Sequence, residues 1–69
     1  MTLVNRPSQL TEQHRRLLRL SMQGLDVHQI AREMRISIDG VYSFKVIVTK
    51  ELGAPDFATA LKIFELLGG

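Results

Sequence analysis

Between Ile36 and Gly53, in ISIDGVYSFKVIVTKELG, side chains able to do chemistry recur at short intervals: Tyr42, Ser43, Lys45, Val46, Thr49 and Lys50. None is a nucleophile with a base beside it, so their shared chemistry is contact. Lysine ammoniums neutralise phosphates, Ser and Thr hydroxyls bond base edges, and Val46 or the Thr49 methyl fits a thymine methyl. Arg15, Arg16 and Arg19 upstream, with Arg32 and Arg35 nearer, are guanidiniums suited to clamping phosphate oxygens. Asp39 opposes them. It is a like charge to any polyanion, although an acid early in a helix also suits the helix dipole. The same stretch has a second chemistry, because Tyr42 and Val46, with Ile38 and Ile47 nearby, compose an apolar and aromatic surface of the kind that marks a protein interface.

Catalysis is not in view. His14 and His28 stand far apart with no Cys or carboxylate cluster at ligand spacing, and no Ser–His–acid order, Gly-rich phosphate loop or carboxylate pair is evident. His28 reads as a surface residue at the start of a helix. We therefore expect no enzyme, no metal and no cofactor. The chain has 69 residues and no cysteine, so neither disulfides nor thiolate-bound metal can brace it. A domain of this size buries only about 60% of its unfolded surface, which makes self-association helpful. Net charge is +2, from nine basic and seven acidic residues, and by itself names no partner. No run approaches the roughly twenty apolar residues of a membrane span, and the N-terminus lacks the basic-then-apolar order of a signal peptide. A cytoplasmic protein without a membrane partner is the expectation.

The contact residues need a rod to carry them. Residues 1–9 (MTLVNRPSQ) have no period and contain Pro7, which reads as a flexible arm, so the domain proper is 10–69. A first helix follows Thr11 as N-cap, with Gln13 or His14 in its first turn. Its apolar spacing is Leu17, Leu18, Ser21, Met22 and Leu25, and Gly24 stops it. Asp26 caps a short second helix, with Gln29 at the reciprocal capping-box position and Ile30, Ala31 and Met34 on the buried face. After MRIS, Ser37 caps a third helix from about Ile38 to Leu52, with Val41, Val48 and Leu52 on one stripe and either Phe44 or Lys45 completing it. The β-branched run Val46 to Thr49 argues locally for a strand, but a lone strand would have no partner in this chain. Asp56 then caps a last helix, Phe57 to Leu67, whose apolar residues extend well beyond one face. Two helices joined by a tight turn, the second outward-facing, are the layout of a helix-turn-helix.

In that order and spacing, LT at 10–11, LLRL at 17–20, GL at 24–25, IA at 30–31, IS at 36–37, Val41, LG at 52–53 and ATA at 58–60 resemble the LuxR/GerE-type (NarL-like) DNA-binding domain. The resemblance spans residues 10 to about 67. Sigma-factor region 4 is similar over the three central helices, and LG followed by a fourth capped helix favours the LuxR type. The resemblance implies an all-α, four-helix domain in which the third helix reads an operator, the second braces it, and the fourth often pairs two protomers. Departures fall on the reading helix: Asp39 where Lys or Glu is common, Gly40 for Thr, Tyr42 for Lys, Phe44 for His, Ile47 for Asn and Glu51 for Lys.

Two functions are thus expected to compete. In the first, a stand-alone bacterial or phage transcription regulator binds double-stranded DNA through Arg15, Arg16, Arg35, Tyr42, Ser43, Lys45, Val46, Thr49 and Lys50, and dimerises through Ile63, Phe64, Leu66 and Leu67 of the last helix. In the second, the scaffold is an antagonist or adaptor that meets a protein through its Tyr42/Val46 face and binds no DNA.

Overall fold

The computed structural model describes residues 10–68, and the expected arm over 1–9 lies outside them. Four helices follow in order: α1 (Glu12–Met22), α2 (Val27–Met34), α3 (Ile38–Glu51) and α4 (Phe57–Leu66). Each begins at a side chain that takes up an otherwise orphaned N–H. Asp26 Oδ1 accepts from Gln29 N–H at 2.8 Å while Gln29 Oε1 accepts from Asp26 N–H at 2.9 Å, the reciprocal box expected there. At α1 the partner of Thr11 is His14. Its Nδ1 accepts the Thr11 N–H at 3.3 Å and its own N–H donates to Thr11 Oγ1 at 3.2 Å. Ser37 and Asp56 cap α3 and α4 singly, through the N–H groups of Gly40 and Thr59.

The first three helices end alike. The N–H of Leu25, Ile36 and Ala54 turns back to the carbonyl of Leu20, Ala31 and Thr49, five residues earlier, at 3.3, 3.0 and 3.0 Å. That closure places the preceding residue in the left-handed region. Gly24 and Gly53 take it freely, but between α2 and α3 the residue is Arg35, at φ 58° and ψ 45°. Ile36 then drops against the core as a plug, and the turn is three residues long, Arg35–Ser37.

Leu17, Leu18, Ile30, Val41 and Val48 are fully buried, with Ala31, Ala60 and Phe64 beside them, so every helix contributes to one core. Both α1 and α3 contact all three other helices, whereas α2 and α4 do not contact each other. The β-branched residues 46–49 are helical because that geometry brings Val48 under Val41 and into the core, which outweighs their local preference. Met22, expected on the buried side of α1, is exposed; Leu25 packs against the core as expected, joined by Leu10 and Leu20. α3 and α4 each stop one residue short of the expected end. Among the described residues no helix is long and apolar enough to cross a membrane.

Candidate nucleic-acid interface

With Val41 and Val48 turned inward, a rotation of about 100° per residue sets Asp39, Ser43, Val46 and Lys50 on the opposite side of α3. All four are exposed. They succeed one another at intervals of four, three and four residues, so they form a straight stripe rather than a spiral. Tyr42 flanks the stripe on one side and Ile47 on the other, and Tyr42 and Val46 stand 53% and 57% exposed.

Two residues expected on this face are on its shoulder. Lys45 and Thr49 lie one turn apart toward α4, and both are half-buried. The Lys45 ammonium sits 4.9 Å from the Phe57 ring centroid and 5.8 Å from that of Tyr42, where a cation is held by the negative ring faces. Thr49 Oγ1 donates to the Lys45 carbonyl at 2.7 Å, so the hydroxyl expected to reach a base is engaged by its own helix. Beyond this shoulder a shallow hollow of about 410 Å³ opens between Val46, Lys50, Pro55 and Phe57. On the opposite shoulder Phe44 is half-buried and meets the His14 ring edge to face, with centroids 5.1 Å apart at 89°. His14 thus caps α1 and wedges it against α3. The Thr11–His14 spacing was the only trace of this in the sequence.

The arginines of α1 are engaged within the domain. Arg19 and Arg15 approach the two carboxylate oxygens of Glu12 at 3.1 and 3.8 Å. Arg16 reaches α2, donating to the Glu33 carbonyl at 3.1 Å with the Glu33 carboxylate 4.0 Å away. Arg15 and Arg19 share Glu12 on the side of α1 away from Leu17 and Leu18. Arg15 and Arg16, expected as phosphate clamps, thus each have an acidic neighbour within 4.0 Å. Arg32, Arg35, Lys50 and Lys62 have no ion-pair partner among the described residues. Of these, Arg35 stands at the turn entering α3 and Lys50 in its last turn, so unpaired cations bracket the exposed face.

On α4, Phe64, expected at the dimer contact, is 5% exposed and belongs to the protomer's core. Ile63 is half-buried, whereas Leu66 and Leu67 are 80% and 71% exposed. At the start of α4, the Asp56 carboxyl is held below its ordinary 3.8 by the Thr59 backbone N–H and then the Thr59 hydroxyl, against a smaller effect of desolvation.

A tight turn between two helices, with the second exposed opposite the core and bracketed by cations, is the arrangement of a DNA-reading pair. Comparison with known families gives a match to "Bacterial regulatory proteins, luxR family" over residues 8–64. No curated protein and no solved structure matches the chain. The family match covers most of the chain and all of α1, α2 and α3, and the four helices carry its fold; the protein belongs to the LuxR family of bacterial regulatory proteins, whose helix-turn-helix is a DNA-binding regulatory domain and not an enzyme.

Proposed function

We propose that this protein is a transcription regulator that binds double-stranded DNA by laying α3 in the major groove, as a homodimer joined through Ile63, Leu66 and Leu67 of α4. The observation that carries this reading is the exposed stripe of α3, with unpaired Arg35 at its entrance and Lys50 at its exit. Tyr42, Ser43 and Val46 meet base edges, Arg35 and Lys50 meet phosphates, and Lys45 reaches a phosphate from the flank only by leaving Phe57. Thr49 offers its methyl, since its hydroxyl is engaged. Arg15 and Arg16 are left out of this set. Two-fold symmetry of the dimer then calls for half-sites about 34 Å apart.

Affinity on this reading is mostly electrostatic, and each phosphate contact contributes about 0.9 to the slope of log affinity against log salt. Fluorescence anisotropy of a labelled duplex across a salt series tests it. Arg35→Ala and Lys50→Ala each flatten the slope by about 0.9, and Asp39→Asn tightens binding by removing a like charge near the backbone. An unchanged slope in both alanine variants would falsify α3 as the reader.

Exposure of Tyr42 and Val46 favours a second reading, in which this face meets a protein instead. A defined protein retained by the wild-type chain, lost on Tyr42→Asp and accompanied by no DNA affinity, is the outcome that selects it.

A further inference from the structure

The exposed stripe of α3 begins with an acid and ends with a base. Asp39 lies in the first turn and Lys50 in the last, with Ser43 and Val46 between them, and neither charge has an ion-pair partner among the described residues. The intervals of four, three and four are those of a coiled-coil seam, along which a second helix packs without diverging. Laid antiparallel on a copy of itself, this stripe is complementary at every position. Asp39 faces the copy's Lys50, Ser43 faces its Val46, and the two-fold axis repeats both pairs.

We propose that α3 pairs antiparallel with the α3 of a second copy of this chain, so that each protomer covers the other's DNA-reading face. This goes beyond both readings above, sharing with the second only that the face meets protein and naming that protein as another copy. It does not depend on whether the chain binds DNA. Four observations agree on the occupant. The charges at the two ends are opposite, so a partner bearing one sign of charge meets repulsion at one end, and DNA meets it at Asp39. A copy in reverse orientation presents the required order, and it also places each helix's positive end beside the other's negative end. Ser43 is small enough to admit the opposing Val46 near the axis. Tyr42 and Ile47, exposed on either side of the stripe, supply apolar flanks. Exposed ion pairs contribute little to affinity, so Asp39 and Lys50 set orientation and register while the apolar side chains hold the pair. A helix of 14 residues is about 21 Å long and gives an interface at the small end of the range, so pairing is weak and rises with protein concentration.

Two variants report on the register. Asp39→Lys leaves two like-charged pairs in an antiparallel homodimer, and so does Lys50→Asp. Mixed one to one, the two variants restore both attractive pairs, and the double exchange Asp39→Lys with Lys50→Asp restores them within one chain at unchanged net charge. Sedimentation velocity over a concentration series, without DNA, reads the outcome, with circular dichroism confirming helix content. On a Leu66→Glu, Leu67→Glu background the same series removes any contribution from α4, and both leucines are exposed enough for this not to disturb the fold. Each single reversal weakens association about tenfold or more, because two attractive pairs become repulsive. Both the mixture and the double exchange recover the wild-type value. Asp39→Asn, which retains a short polar side chain in the first turn, weakens association by a smaller factor and serves if the lysine variant loses helix. Wild-type chain that stays monomeric on the α4-disrupted background overturns the proposal. So do single reversals that change association by less than about twofold, or a double exchange that fails to recover it. Loss of DNA binding in any variant bears on the first reading alone.

Discussion

Arg16 of α1 donates from its guanidinium to the main-chain carbonyl of Glu33, 17 residues further along the chain, at 3.1 Å. The bond closes the orphaned last turn of α2 from outside, just before the turn that launches α3. A cation at a helix C-terminus also meets the negative end of the helix dipole. The arginine therefore adds a brace from α1 to the end of α2, beside the left-handed turn that leads into α3.

Replacing Arg16 tests this brace. Arg16→Gln is expected to destabilise the domain by about 0.5–1 kcal/mol, the range of one hydrogen bond to a charged group discounted for its exposure. For a domain of this size about 1 kcal/mol lowers Tm by roughly 4–8 °C. Thermal unfolding followed by circular dichroism measures it. Arg15→Gln, whose arginine has only a 3.8 Å pair with Glu12, is expected to have no measurable effect.

Arg35 occupies the left-handed position that Gly24 and Gly53 occupy elsewhere. Relief of that strain makes Arg35→Gly stabilising by about 0.5–1 kcal/mol, the full left-handed cost being offset in part by glycine's greater unfolded-state entropy. Arg35→Ala keeps the strain and gains nothing. Denaturant midpoints should separate the two, whereas DNA affinity should fall in both. Stability rising while binding falls is the pattern of a residue held in a strained position for contact.

Asp56 carries a pH dependence. Its folded-state pKa is depressed below the ordinary 3.8, so its capping contribution is present above that value and is lost as pH falls through the lower, folded-state one. Acid unfolding of the wild type should therefore show a component below about pH 4 that Asp56→Asn lacks, since asparagine caps without titrating. Equal acid limbs for the two proteins would remove Asp56 from the account.

The two sides of α4 should respond differently. Phe64→Ala opens a hole in the core and is expected to cost about 3–5 kcal/mol, enough to unfold so small a domain. Leu66→Glu with Leu67→Glu should leave unfolding within about 0.5 kcal/mol of wild type, because both side chains are exposed already. If α4 joins protomers, the same pair of changes shifts the sedimentation coefficient toward monomer. Full retention of the dimer in that variant would move the contact elsewhere.

Much of the architecture was legible before any coordinates, because its signals are local. Thr11, Asp26, Ser37 and Asp56 each cap the helix they precede, since capping depends only on a side chain two or three residues from the N–H it accepts. Gly24 and Gly53 end helices because a positive φ is a property of one residue. Leu17, Leu18, Ile30, Val41 and Val48 were readable as core from their helical spacing.

Packing supplied neighbours that the sequence did not show. Lys45, Arg16 and Phe64 were assigned by residue type and approximate face, and each meets a side chain or core contributed by other helices. Lys45 is turned aside by Phe57 of α4, and Arg16 is taken by Glu33 of α2. Phe64 is drawn into the core, although its own helix has apolar residues on several sides.

From residue order alone, this protein was bound to be a four-helix chain with its third helix set behind a tight turn, because caps, stops and periodicity act within a few residues. Tertiary structure decided which charges remain unpaired and which side chains stand outward on that helix. The Arg16–Glu33 pair and the burial of the Phe64 ring depend on distances between segments far apart in sequence, and those distances exist only once the helices have packed.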